Sequence, residues 1–483
     1  MSASRFAPLA VLLTACQGHD PGGEWMAHAE ILADEALTAL PDHRVPPPAP
    51  LRDPADRPDV TVYGYWPYWG DPLDTLQWDQ LTHVALFNVE LNADGSLSQT
   101  HRWNNNAPTA MALAAPYGIK VHVTLTSFTD PITNAVLPSA TNRARAVSAL
   151  AGLVSAHGAH GVNVDIEGLD TSQRNNFLTF IQELKAAVPE VFLATPAVDW
   201  AGAYDYDQLA FASDGLFIMG YGYHWSGGGP GPVAPLYGGS PWGVHSLAWT
   251  VNDYRTSGAP DDKIILGLPL YGYDWPTTST AVPGTSTGSA TAAVYTTARA
   301  AALAHGRLFD APTRTPYTFP SSTRQLWYDD ASSVAERVEY GIDEGLQGVG
   351  FWALTYDDAD PALWTAVDAL THFAPPAPVP PVLAPLTPGQ AGAINTLAFS
   401  GAAPGAAIRL VVGWRPGATL VPGCPGQSLT FARPTVLGSV TADAAGNGSV
   451  NVWIPASAAG LTVQAVAVDL PGCLVSAPIT DTL

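Results

Sequence analysis

The amino-acid sequence predicts an α/β chain built as a (β/α)8 barrel and followed by a small all-β sandwich. Three observations carry that reading. From residue 61 onward, short β-branched or aromatic runs alternate with Ala/Leu-rich helical segments, the pattern of a parallel sheet covered by helices. Eight such runs fit, at 61–66, 83–88, 119–126, 161–166, 190–196, 214–221, 263–269 and 347–353. Beyond a Pro-rich stretch at 373–390, helical periodicity disappears and Val/Leu/Ile runs alternate with Gly/Pro/Asn turns.

The elements follow in chain order. Met1 to Arg5 supplies one positive side chain, Phe6 to Leu13 a short apolar run, and Leu13-Thr-Ala-Cys16 resembles a bacterial lipobox. The expectation is a signal peptide over 1–15, lipid on Cys16, and a mature chain anchored to a membrane of the bacterial envelope, or else secreted. Gln17 is compatible with the outer membrane. Residues 16–60 read as a tether, stiffened by Pro46-Pro-Pro-Ala-Pro50. The barrel is expected over 61–372, with helices between its strands, such as Arg143 to His157 and Gln173 to Ala187. A segment at 276–346, rich in Ser, Thr and Gly to about residue 290, separates the last two strands. After the linker at 373–390, the runs Ile408 to Val412 and Leu461 to Val468 mark the sandwich, 391–483. Its cysteines, Cys424 and Cys473, are expected to form one disulfide in an exported chain.

Composition narrows the partners. The 483 residues carry 20 basic against 42 acidic side chains, a formal charge of −22. That argues against nucleic acid and against an anionic membrane surface as the main partner. No stretch from residue 20 onward is long and apolar enough to span a bilayer. Oligomeric state is not legible.

The strongest single motif is His160-Gly-Val-Asn163-Val-Asp165-Ile-Glu167. Its alternation puts Asn163, Asp165 and Glu167 on one face of a short strand, with Glu167 at the C-terminal tip. Carboxylates two residues apart on a strand have Cβ atoms roughly 7 Å apart, so they can work on neighbouring atoms of one substrate. A lone triplet of this kind is more often the polar face of a half-buried strand. Here ordered aromatic motifs accompany it: Val62 to Trp66, Phe217 to Trp225, Ile265 to Trp275 and Gly350 to Asp357.

Together these motifs, over roughly residues 60 to 374, resemble glycoside hydrolase family 18, whose signature is usually DGxDxDxE. The resemblance implies that Glu167 is the general acid, that Asp165 orients the substrate's acetamido group, and that Tyr221 supports the acetamido carbonyl. Asn163 stands where most members carry the innermost Asp, His160 where the motif usually opens with Asp, and Gly222 where an Asp usually follows the tyrosine. The form GVNxDxE looks like the branch of spore-cortex and peptidoglycan N-acetylglucosaminidases. Substrate contacts are implied at Asn163, Tyr65, Phe87, Met219, Tyr223, Trp225, Tyr271 and Trp352, the last as the floor beneath the reacting sugar. The family's small α+β insertion before the last strand is expected in reduced form at 276–346.

The implied reaction is retaining and substrate-assisted: the N-acetyl oxygen is the nucleophile, and Glu167 begins protonated and then activates water. No metal or cofactor is called for. The substrate would be a β-1,4-linked N-acetylglucosamine polymer, peptidoglycan or chitin. A non-catalytic, lectin-like envelope protein is the alternative, motivated by Asn163, Gly222 and His160.

Overall fold

The computed structural model describes residues 47–53, 56–373, 380–402, 405–421, 424, 427–443, 445–469 and 473–483. Cys16 and the segment 1–15 read as a signal peptide lie outside the described residues. Contacts divide the chain after Phe373 into two units, each described by itself.

The first unit is a closed parallel barrel of β1 (Thr61–Pro67), β2 (His83–Leu91), β3 (Lys120–Ser127), β4 (Gly161–Ile166), β5 (Glu190–Pro196), β6 (Gly215–Met219), β7 (Ile264–Pro269) and β8 (Gly348–Trp352). Strand β1 pairs with both β8 and β2, which closes the ring. Each of the eight expected runs holds one barrel strand; the boundaries differ most at β2, which continues to Leu91. Every residue of β4 is buried, because one face fills the barrel while Val162, Val164 and Ile166 turn toward the helical layer.

The outer layer comprises α1 (Thr100–Ala114), α2 (Asp130–Val136), α3 (Ala140–His157), α4 (Arg174–Lys185), α5 (Tyr206–Ala212), α6 (Leu247–Thr256), α8 (Ala331–Asp343) and α9 (Pro361–Thr371), with α7 (Tyr295–His305) in the insertion. Helix α3 shows how sequence delivers the site strand. Ser139 caps its start by accepting from the Asn142 amide, and Gly158 ends it at φ +64°, a left-handed conformation that glycine adopts without strain. Arg143, Ala146, Leu150 and Val154 recur at helical spacing and form its buried stripe.

The barrel centre is built around Phe217 on β6. Its ring lies 4.9 Å from that of Tyr65 and 5.8 Å from that of Tyr63. A Cβ on Gly267 or Gly350 would come within 2.3 or 2.4 Å of the Phe217 ring. Two strands therefore give up side chains so that one aromatic fits.

The insertion is fuller than expected and starts earlier, directly after β7. It is a five-stranded antiparallel sheet in the order Thr291–Val294, Tyr271–Pro276, Arg324–Trp327, Thr315–Ser321, Leu308–Asp310. The Ser/Thr/Gly-rich stretch is only the connection between its first two strands, and prolines within Thr315–Ser321 mask that strand's alternation. Arg337 of α8 fastens the insertion to the barrel. It is fully buried, donates to the carbonyls of Ala234, Ser333 and Arg314, and lies 3.0 Å from the Asp329 carboxylate. The end of the stretch read as a tether also lies against the barrel: the Leu51 and Arg52 amides donate to Asp79, and the Arg52 guanidinium pairs with Asp368 at 2.7 Å.

In the second unit, a three-stranded sheet (Val382–Leu383, Ala393–Ser400, Gly448–Ile454) and a larger antiparallel sheet around Ala407–Gly413 and Thr462–Asp469 share one core. Leu397 and Phe399 from one sheet meet Ile408, Leu410, Ala465 and Ala467 from the other, a sandwich core. Cys424 and Cys473 are joined by a disulfide with Cα atoms 5.2 Å apart. Among the described residues, no helix is long and apolar enough to cross a membrane.

Candidate active site

The inner face of β4 carries Asn163 and Asp165 toward the C-terminal mouth of the barrel, and Glu167 follows one residue past the strand. In register, Thr124 and Thr126 of β3 stand beside Asn163 and Asp165, and Phe192 of β5 stands beside Asn163. Asn163 and Asp165 are fully buried, and Glu167 is 2% exposed. Two hydrogen bonds hold the tip of the strand. The Glu167 amide donates to the Ser127 carbonyl at 3.0 Å, and the Tyr204 hydroxyl donates to the Ile166 carbonyl at 2.6 Å. Below them, the Tyr65 hydroxyl donates to Asn163 Oδ1 at 3.1 Å.

Tyr221 lies just beyond β6, buried, with its ring 6.0 Å from that of Tyr271, edge to face. Burial first, then the neighbouring phenols and the charges of Asp165 and Glu167, push the Tyr221 hydroxyl well above the usual tyrosine range. The Tyr65 hydroxyl is raised in the same way, by burial and then by Tyr63, Asp165 and Glu167. Both phenols therefore remain protonated donors beside two carboxyl groups. The site thus sets two buried carboxyl groups, Asp165 and Glu167, near the O–H donors of Tyr221 and Tyr65.

Trp352 ends β8 with its ring 4.8 Å from Phe87, 5.5 Å from Tyr65 and 6.4 Å from Trp69. It is fully buried, and these rings enclose the residue expected to floor the subsite of the reacting sugar. The half-buried Trp69, which sequence reasoning missed, donates from Nε1 to the Tyr356 hydroxyl at 3.2 Å. Only its position in a turn directly after β1 could have signalled it.

The other expected contacts divide. Tyr65, Phe87, Met219 and Tyr271 are buried around the cluster. Tyr223 shares a 2.6 Å hydrogen bond with Thr250 of α6, which in turn donates to the Ala197 carbonyl. Trp225 is half-buried with its ring against Gly227 and Gly228 of its own loop. A cleft reaches the cluster along Pro196, Trp200, Met219, Tyr221, Gly222 and His245. Trp200 is 46% exposed and meets His245 edge to face at 4.9 Å. Gly222 sits at φ +77°, with nothing within 4 Å of where a Cβ would be. Glycine there relieves a left-handed backbone and leaves the cleft wider than an aspartate would.

Residues 61–357, more than half of the chain, match the profile of the glycosyl hydrolases family 18. The chain belongs to that family. Among similar proteins, YdhD of Bacillus subtilis (strain 168), named for a sporulation-specific glycosylase, is 29% identical over 288 residues, covering 56% of this chain and 65% of YdhD. The cortical fragment-lytic enzyme of Bacillus anthracis is 23% identical over 297 residues, 57% of this chain and 65% of that one. This family 18 chain thus spans just under two thirds of those relatives. A chitinase of the family from Cycas revoluta, solved in complex with (GlcNAc)3, superposes with a TM-score of 0.60 at 20% identity, covering 64% of this chain and 99% of that one. At that identity the likeness shows the fold alone.

Proposed function

We propose that the protein is a retaining glycoside hydrolase acting on β-1,4-linked N-acetylglucosamine polymers, with peptidoglycan favoured over chitin. One observation carries the reading: Asn163, Asp165 and Glu167 climb the inner face of β4 to end beside Tyr221. In the proposed reaction, Glu167 protonates the glycosidic oxygen while the substrate's acetamido oxygen attacks the anomeric carbon. Asp165 accepts the acetamido N–H and balances the charge of the cyclic intermediate. Tyr221 donates to the attacking carbonyl and fixes its direction. Glu167, now ionised, takes a proton from water, which opens the intermediate with the β configuration restored.

Asn163 supports the base of this column as a neutral amide held by Tyr65. Exposed Trp200 at the cleft rim offers an indole for the apolar face of a pyranose. The Bacillus anthracis relative is named for the lysis of cortical fragments, which supports the peptidoglycan reading. The proposal extends to location: lipid on Cys16 would anchor the enzyme in the cell envelope, and palmitate labelling of wild type but not of Cys16→Ala is the expected result. Labelling of neither protein would withdraw the anchor.

The mechanism requires the N-acetyl group. The mature protein should therefore cleave GlcNAc oligomers but not their N-deacetylated counterparts, and purified peptidoglycan should be the better polymer. Equal cleavage of both oligomer sets would overturn substrate assistance. Binding without cleavage of any substrate would favour the lectin-like reading.

A further inference from the structure

At the opposite, N-terminal mouth of the barrel lies a cluster that the proposed reaction does not use. His83 opens β2, His122 is the third residue of β3, and Glu190 opens β5. Their nitrogen and oxygen ligand atoms all lie within 4.8 Å of one another. The His122 side chain is fully buried, that of His83 is 9% exposed and that of Glu190 18%. Glu167 stands six residues after Gly161, just past the opposite end of β4 and roughly 20 Å away along that strand at the ordinary strand rise.

Both imidazoles are oriented from behind. The Tyr63 hydroxyl engages His122 Nδ1 at 3.0 Å, and Thr82 Oγ1 engages His83 Nδ1 at 2.8 Å. Each ring then turns Nε2 toward Glu190 Oε2, at 3.1 Å from His122 and 3.6 Å from His83. Donors on a tetrahedral zinc ion at about 2.0–2.1 Å lie roughly 3.3 Å apart, and the two distances bracket that value. His83 Nε2, buried and aimed into this space, makes no hydrogen bond among the described residues. The register brings the groups together across β4, where Gly161 pairs with both His122 and Glu190. A Cβ on Gly161 would come 2.4 Å from the Glu190 carbonyl oxygen.

We propose that His83, His122 and Glu190 form a binding site for a divalent transition metal, zinc by preference, that staples β2, β3 and β5 at the N-terminal mouth of the barrel. Two imidazoles and one carboxylate suit zinc rather than calcium or magnesium, and rear hydrogen bonds to each Nδ1 are the usual support of such ligands. Burial pushes His122 down to about 4 and lowers His83 as well. Burial alone would raise Glu190, but its hydrogen bonds to His122 and Lys120 and the approach of the His83 ring outweigh this and hold it well below the usual carboxylate range.

Lys120 provides the means to tell a metal site from a plain ion-pair network by experiment. Its ammonium contacts Glu190 Oε1, the oxygen that the histidines leave aside, and its side chain is 43% exposed and able to withdraw. In a metal site that positive charge opposes the cation. In a purely structural network it completes the pairing.

The test uses the mature full chain, stripped with a chelator and titrated with Zn2+ by calorimetry and thermal melting, with Co2+ as a spectroscopic probe. Wild type should bind one Zn2+ per chain, melt at a higher temperature with it, and give visible d–d bands with Co2+. Tyr63→Phe should weaken binding by about 10- to 100-fold. Lys120→Gln should tighten it, and His83→Gln should abolish it. Absence of stoichiometric binding by wild type, or equal binding by His83→Gln, would overturn the site. Should His83→Gln fail to fold, unchanged zinc affinity in both Tyr63→Phe and Lys120→Gln would do the same.

Discussion

Asn163 fills a position on the inner face of β4 where a second acid would stand two residues below Asp165. Its amide accepts from Tyr65 at 3.1 Å and brings no charge. Asn163→Asp would crowd two carboxylates, which makes one of them harder to ionise. The acidic limb of the kcat/KM profile should then move to higher pH, and an unmoved limb would remove this account of the amide. Asp357, just past β8, gives a second prediction at this scale. Burial raises its carboxyl to about 6, although Trp364 Nε1 donates to it at 2.7 Å. The folded state therefore holds this proton more tightly than the unfolded chain, so the contribution is full below the unfolded value and is lost as pH rises through about 6. Asp357→Asn keeps an acceptor for the indole and removes the charge. It should melt above wild type near pH 8 and lose that advantage at about pH 4; an equal difference at both would contradict the sign.

The strands were legible because each buried β-branched run had to alternate with a helix, and the motif on β4 alternates polar with apolar along a strand whose two faces are both covered. Other elements were hidden by composition or by contacts across the sequence. Helix α1 carries three consecutive asparagines and Pro108, which blunt its helical signal. The enclosure of Trp352 depends on Phe87, Tyr65 and Trp69 from the first third of the chain, which no local pattern announces. The residues His83, His122 and Glu190 likewise have no motif spacing; only barrel closure gathers them. The same closure makes Gly350 sensitive. Gly350→Ala would drive a methyl into Phe217 and should cost about 1–3 kcal/mol in denaturant unfolding, with partial relief from Phe217→Leu. Full stability of the single variant would show that the centre is looser than described.

At the scale of the whole molecule, the two units have separate cores. A chain ending at Phe373 should keep its melting transition and its rate on short GlcNAc oligomers, and loss of either would mean that the second unit supports the barrel. The disulfide spans 49 residues of sequence, a loop for which chain entropy alone assigns about 4 kcal/mol. A reductant should therefore lower only the transition of the C-terminal unit; a shift of both would contradict independent folding. The central claim, that β4 delivers a working acid to a sugar in the barrel mouth, is tested most directly by comparing wild type with Glu167→Gln on GlcNAc oligomers, scoring product release and oligomer binding together. The expected result is cleavage by wild type, a loss of about 10²- to 10⁴-fold in the variant, and binding retained by both. Equal cleavage by the two proteins would contradict the account.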